Sequence, residues 1–164
     1  MRFNPPTTIV INDTEYQFRW SEKDMHEYTP AGQEDLKAWT DMLTILFYQD
    51  IKGPEGLAGS ANVVLNLYKQ NGAQIIGTTS MPKTDDAPAE HLIIAAFSMD
   101  EHAEAVFAKF KLVGDTSAAA ILSHRISGNK EETIKEMQVW LDTNIPLYTK
   151  ALLEAYTVPG IEEE

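Results

Sequence analysis

Residues 104–113 read EAVFAKFKLV, and the architecture turns on whether this stretch is helix or strand. Its alanine, glutamate and lysine content favours a helix. Yet Val106, Ala108, Phe110 and Leu112 alternate with Phe107, Lys109 and Lys111, as they would along a strand. The flanks decide. Gly114-Asp115 and Ser127-Gly128-Asn129 supply tight turns, and apolar runs of strand length stand on either side, HLIIAAFSM at 91–99 and AAAILSHRI at 118–126. That spacing suits a three-stranded meander, so 104–113 is assigned to its middle strand.

Upstream, Thr8-Ile9-Val10-Ile11 and the alternating Tyr16, Phe18 and Trp20 flank Asn12-Asp13 and predict an N-terminal hairpin. Residues 21–33 are polar, with Pro30 and Gly32, and read as a loop. The run LKAWTDMLTILFY at 36–48 is apolar on both faces and β-rich from Met42 to Tyr48, which predicts a buried strand. Gly53-Pro54-Glu55-Gly56 breaks it. Leu57, Ala61, Val64, Leu65 and Tyr68 then recur at helical spacing up to Asn71-Gly72, predicting a helix over 57–70. Residues 73–79 read as a strand, and 81–90, with Pro82, Pro88 and Asp85-Asp86, as an exposed loop. A second helix is expected over 130–156, with Ile134, Met137, Trp140, Leu141 and Ile145 as its apolar stripe and Pro146 kinking or restarting it. The fold class is therefore α+β: a largely antiparallel sheet covered by two long helices that pack on the sheet rather than on each other. One domain is expected over 1–164, with 1–7 an extended entry and 157–164 a frayed tail.

Thirteen Lys+Arg stand against 25 Asp+Glu, a net charge of -12, and no cluster of four basic residues occurs. Phosphate backbones and anionic bilayers repel such a chain, so neither nucleic acid nor membrane insertion is expected. The absence of cysteine excludes thiol catalysis, thiolate zinc sites and iron–sulfur clusters. His26, His91, His102 and His124 are not at metal-site spacing, and no nucleotide-binding glycine motif is present, so no metal or cofactor is expected. The opening residues lack the apolar run of a signal peptide, which leaves either a cytoplasmic chain or the mature part of an exported one.

Ser123-His124 has the residue types of a nucleophile and its base. Neighbours on a strand face opposite ways, so the two cannot form a dyad. Asp41, beside Trp39 and Met42, and Glu90, ahead of the strand at His91, are carboxylates near apolar groups, where a raised pKa would suit an acid. Asp41, Glu90 and His124 are thus the catalytic candidates should the protein be a small hydrolase or isomerase with a pocket between sheet and helix. The loop carrying Met81, Pro82, Lys83, Asp85, Asp86 and Pro88 is the candidate binding segment, since its prolines lower the entropy cost of binding and Met81 offers an adaptable apolar contact.

The Tyr16-x-Phe18-x-Trp20 strand, the Trp39-Thr40-Asp41-Met42 strand entry, the small-residue helix from Ala58 to Tyr68, the run of strands and the terminal amphipathic helix together resemble the Mog1/PsbP/DcrB-like superfamily. That resemblance implies an accessory role with a protein partner, no catalytic residue, and an exported rather than cytoplasmic location. A non-enzymatic accessory or binding protein is the leading expectation. The small hydrolase or isomerase is one alternative, and an acidic secretion chaperone for a basic or apolar segment is the other.

Overall fold

A computed structural model describes residues 2–155 and 161–162. The chain forms β1 (Arg2–Phe3), β2 (Thr8–Ile11), β3 (Thr14–Glu22), β4 (Met25–Pro30), β5 (Asp41–Lys52), α1 (Gly53–Gln70), β6 (Gln74–Met81), β7 (Glu90–Ser98), β8 (His102–Val113), β9 (Thr116–Ser127), α2 (Lys130–Lys150), a π-helical turn (Ala151–Ala155) and β10 (Ile161–Glu162). Eight strands make one antiparallel sheet in the order β2-β3-β4-β5-β9-β8-β7-β6, and β1 pairs with β10. The protein is α+β, with a large antiparallel sheet and two long helices, as the strand spacing predicts.

The ambiguous stretch 104–113 is the strand β8, and its burial explains the ambiguity. Ala103, Ala105 and Phe107 join a core with Met137 and Leu141 of α2. Val106, Ala108, Phe110 and Leu112 join a second core with Leu57 and Ala61 of α1. Successive residues of a strand point to opposite faces, so the helices lie on opposite faces of the sheet and β8 is covered on both. A strand buried on both sides has no polar alternation to advertise it.

Residues 21–33 are not a loop. They hold the end of β3 and all of β4, whose His26, Tyr28 and Thr29 are buried. The polar letters mislead because Lys23, at φ 52°, turns the chain, while His26 packs beside the rings of Phe3 (4.5 Å) and Phe47 (6.2 Å). The first hairpin turns at Asn12-Asp13, both at positive φ (50° and 61°), the type I′ geometry that suits two twisted strands. α1 starts at Gly53 rather than at 57, with Pro54 in its first turn, where a missing N–H costs nothing. Met81 closes β6 and Glu90 opens β7, so the loop between them is 82–89. α2 continues through Pro146 to Lys150 rather than restarting there. Its buried stripe holds Thr133, Met137 and Leu141, which leaves Ile134 at the margin, 37% exposed. Of the tail expected to fray, 157–160 and 163–164 lie outside the described residues, and Ile161 and Glu162 pair with Phe3 and Arg2.

The sharp passage from β5 into α1 depends on Gly53, at φ 72°, whose N–H donates to the Asp115 carbonyl at 3.0 Å. Gly59, exposed within the same helix, has φ outside the left-handed region and open space where a Cβ would stand. Gly53→Ala is therefore expected to destabilise the fold by about 1–2 kcal/mol and Gly59→Ala to stabilise it by up to about 1 kcal/mol. Urea titration of both variants checks the opposite signs.

Candidate functional site

The register of β5 on β9 places Asp41 directly opposite His124. Directly opposed residues point to the same face, here the α2 face that Leu43 and Leu122 also serve. His124 Nδ1 lies 2.8 Å from Asp41 Oδ1, with side chains 16% and 24% exposed. The Thr40 hydroxyl donates to Asp41 Oδ2 (2.9 Å), and Gln33 Oε1 accepts from the backbone N–H groups of Thr40 (2.8 Å) and Asp41 (3.0 Å), which fixes the strand entry. From above, α2 lays Trp140 flat on the imidazole, with centroids 4.1 Å apart and planes 5° from parallel. Trp140 in turn meets Tyr148 (5.2 Å) and Phe107 (6.1 Å) edge to face.

Burial pushes the Asp41 carboxyl upward. The hydrogen bond and charge of His124, with the hydrogen bonds of Thr40 and Gln33, outweigh it and hold Asp41 below its usual range. The expectation of a raised acid at Asp41 is thereby overturned: the residue finds polar partners where its apolar neighbours in sequence suggested none. Burial and the negative charge of Asp41 push the Tyr148 phenol up to about 12, and burial, with Tyr148 and Asp41, raises Tyr16 as well. The cluster thus keeps one ionised carboxylate among neutral phenols. An ionised Asp41 accepts from Nδ1–H, so a neutral His124 carries its lone pair on Nε2, the arrangement of an oriented base or a single metal ligand. Ser123 pairs in register with Met42 and Val106 and faces α1, so it supplies no nucleophile to this imidazole. Among the described residues no three metal-ligating side chains converge.

Glu90 stands apart. It pairs in register with Lys111, which pairs with Ala118, which pairs with Phe47. That row is six residues along β5 from Asp41, roughly 20 Å at the rise of a strand. Glu90, 7% exposed, takes ion pairs from Lys109 and Lys111, each at 3.3 Å, and Lys109 Nζ also donates to the Leu152 carbonyl. Burial lowers the Lys109 pKa, and Glu90 only partly restores it. Arg125 stacks on the Trp39 ring at 4.1 Å, and its charge acts on its register partner Glu104.

Pro82, Lys83, Asp85, Asp86 and Pro88 are exposed in the loop, and Met81 is exposed at the end of β6. The Thr84 N–H donates to the Ala87 carbonyl (2.9 Å) and the Ala87 N–H to the Thr84 hydroxyl (3.1 Å), which folds the segment into a compact turn. It leans toward Pro54 and the Gly114-Asp115 turn, enclosing a cleft of about 320 Å³. A second cleft of about 320 Å³ opens at the other end of the β6–β7 hairpin, under α2, and a smaller one of about 200 Å³ lies between α1 and the same hairpin. None of these three is lined by Asp41, His124 or Glu90. Sequence reasoning missed Gln33, Thr40 and Tyr148 at the Asp41 cluster and Lys109 beside Glu90. Only the lysine left a signal, a charge between Phe107 and Phe110 in the apolar middle of a strand.

Trp140→Ala removes the plate above His124 and its contacts to Phe107 and Tyr148, and should cost about 3 kcal/mol in denaturant titration. Asp41→Asn should cost about 2 kcal/mol at pH 6. Because the native pKa of Asp41 is depressed, its contribution is complete above the unfolded value, about 4, and fades as pH falls through the lower native value. The gap between wild type and variant is therefore expected to shrink between pH 6 and pH 3, as read from urea midpoints.

No curated protein matches this sequence. Among solved structures, the crystal structure of human STARD10 is similar over 85% of this chain and 74% of that chain, at 9% identity and a TM-score of 0.32, too low a likeness to argue from. A protein-family model matches residues 3–152, a span that takes in every strand of the large sheet and both long helices, and the chain belongs to that family.

Proposed function

We propose that the protein is a non-enzymatic accessory protein that recognises a protein partner through the loop 82–88 and the ground beside it. The observation that carries this reading is the cleft of about 320 Å³ that the loop forms with Pro54, Gly114 and Asp115. Two prolines and the Thr84–Ala87 hydrogen bonds restrict the loop before any partner arrives, which lowers the ordering cost of binding. Asp85, Asp86 and Asp115 outnumber Lys83 around the cleft, so the complementary partner segment is basic. The resemblance to the Mog1/PsbP/DcrB-like superfamily supports the same class of role, and that finer fold assignment is part of this proposal.

Replacing 82–88 with a Gly/Ser linker is expected to leave the melting temperature within about 3 °C, since the segment is exposed surface. It should also abolish retention of the partner from extracts of the cells that make the protein. Equal retention by the native and replaced chains would overturn the proposal.

A second reading, a small hydrolase or isomerase, is favoured by one observation, the Asp41–His124 pair at 2.8 Å. It requires that model ester or phosphate substrates turn over above background and that His124→Gln abolish the turnover. Rates equal for the native chain and the variant would exclude it.

A further inference from the structure

The cleft under α2 has a different character from the loop surface and stands independently of it. On the α2 face, side chains shrink along β7 from Leu92 and Ile94 to Ala96 and Ser98, and along β8 from Phe107 to Ala105 and Ala103. The helix passes over this tapering floor on one face, presenting Ile134, Met137, Gln138, Leu141, Asp142 and Ile145 at helical spacing. Too little side-chain volume remains to close the layer, and about 320 Å³ stays open between α2 and the end of the β6–β7 hairpin. Ile76 and Ile134, each 37% exposed, stand at its two margins, where an aliphatic side chain left in water is unfavourable until something covers it.

The polar groups at the rim are few and one-sided. Gln74, Ser98 and Gln138 offer neutral hydrogen-bonding groups, while Asp142 is the only charged residue lining the cleft and makes no ion pair among the described residues. The whole chain carries a net charge of -12, so the surrounding potential repels anions as well. A volume at the lower end of the roughly 300–1,000 Å³ usual for small-molecule sites, a methionine-and-leucine roof over an alanine floor, and one uncompensated carboxylate at the mouth together define the ligand chemistry.

We propose that the cleft between α2 and the β6–β7 hairpin binds a small amphipathic amine, its apolar body lodged over Ala96 and Ala103 beneath Met137 and Leu141 and its ammonium group at Asp142. The apolar body supplies the affinity and Asp142 supplies the choice of charge. The pair at the mouth is solvent-exposed, so its attraction is modest and falls with salt.

The test uses three probes of matched body: 4-phenylbutylamine, 4-phenylbutanol and 4-phenylbutyrate, titrated into the isotope-labelled full chain at low salt and followed by amide chemical shifts. The amine is expected to move resonances of 134–145 and 74–76 and to bind about tenfold more tightly than the carboxylate, with the alcohol between them. Asp142→Asn should bring amine and alcohol to equal affinity while leaving alcohol binding intact. Ala103→Leu, which fills the floor, should remove binding of all three; Ala96→Leu fills it from the neighbouring strand and replaces it should Ala103→Leu fail to fold by its amide spectrum. Absence of shifts at millimolar amine, shifts centred elsewhere, equal affinity for amine and carboxylate, or binding that survives the filled floor would each overturn the proposal.

Discussion

Strand β8 runs between two helices, so its side chains enter an apolar layer whichever way they point, and Lys109, only 1% exposed, places an ammonium inside the α2 layer. A buried ammonium is tolerable only where a counter-charge and hydrogen-bond acceptors meet it. Glu90 from β7 and the Leu152 carbonyl from the π-helical turn do so here. One lysine thereby ties β8 both to the neighbouring strand β7 and to the π-helical turn that follows α2.

The same double burial decides which parts of the fold the sequence discloses. Turn chemistry disclosed the meander, because Gly114-Asp115 and Ser127-Gly128-Asn129 punctuate apolar runs whose own letters are ambiguous. It failed at β4, where a run of polar residues conceals a strand that sends His26 and Tyr28 into the core. Polar letters there reflect hydrogen bonds made in the folded state: His26 Nδ1 lies 2.6 Å from the Ser21 hydroxyl, and the Thr29 hydroxyl donates to the Gln33 carbonyl at 2.5 Å. No periodicity announces partners that are fixed only when strands pair. The small residues of α1 were readable for the same reason that Pro54 was, since both report local geometry.

The candidate sites divide along the same line. The loop 82–88 was legible because prolines and aspartates act on their own backbone. Asp41 and His124 were each visible as residue types, but their meeting depends on a register between strands 83 positions apart, which one chain without its pairing does not reveal. Trp140 was legible as an apolar position on a helix stripe. That it stacks on an imidazole depends on how α2 crosses the sheet, and the crossing is set by side-chain sizes on both surfaces.

Those sizes also explain why the α2 layer is closed on one flank of the helix and open on the other. Phe107 and Leu122 rise from the sheet to meet Trp140 and Tyr148 of the helix, large rings and a branched chain that fill the space, and beyond the C-terminal end of α2 the buried Leu152 continues the same core. On the flank facing the β6–β7 hairpin the sheet offers alanine at 96 and 103, and α2 answers with unbranched Met137, Leu141 and an Ile134 left 37% exposed. A helix is too stiff to sag by a side chain's depth over three turns without losing its own hydrogen bonds, so it stays level where the floor drops. The fold is anchored where the rings pack, and the volume that small residues leave behind collects at the hairpin end, beside the edge strand β6, where it opens to solvent.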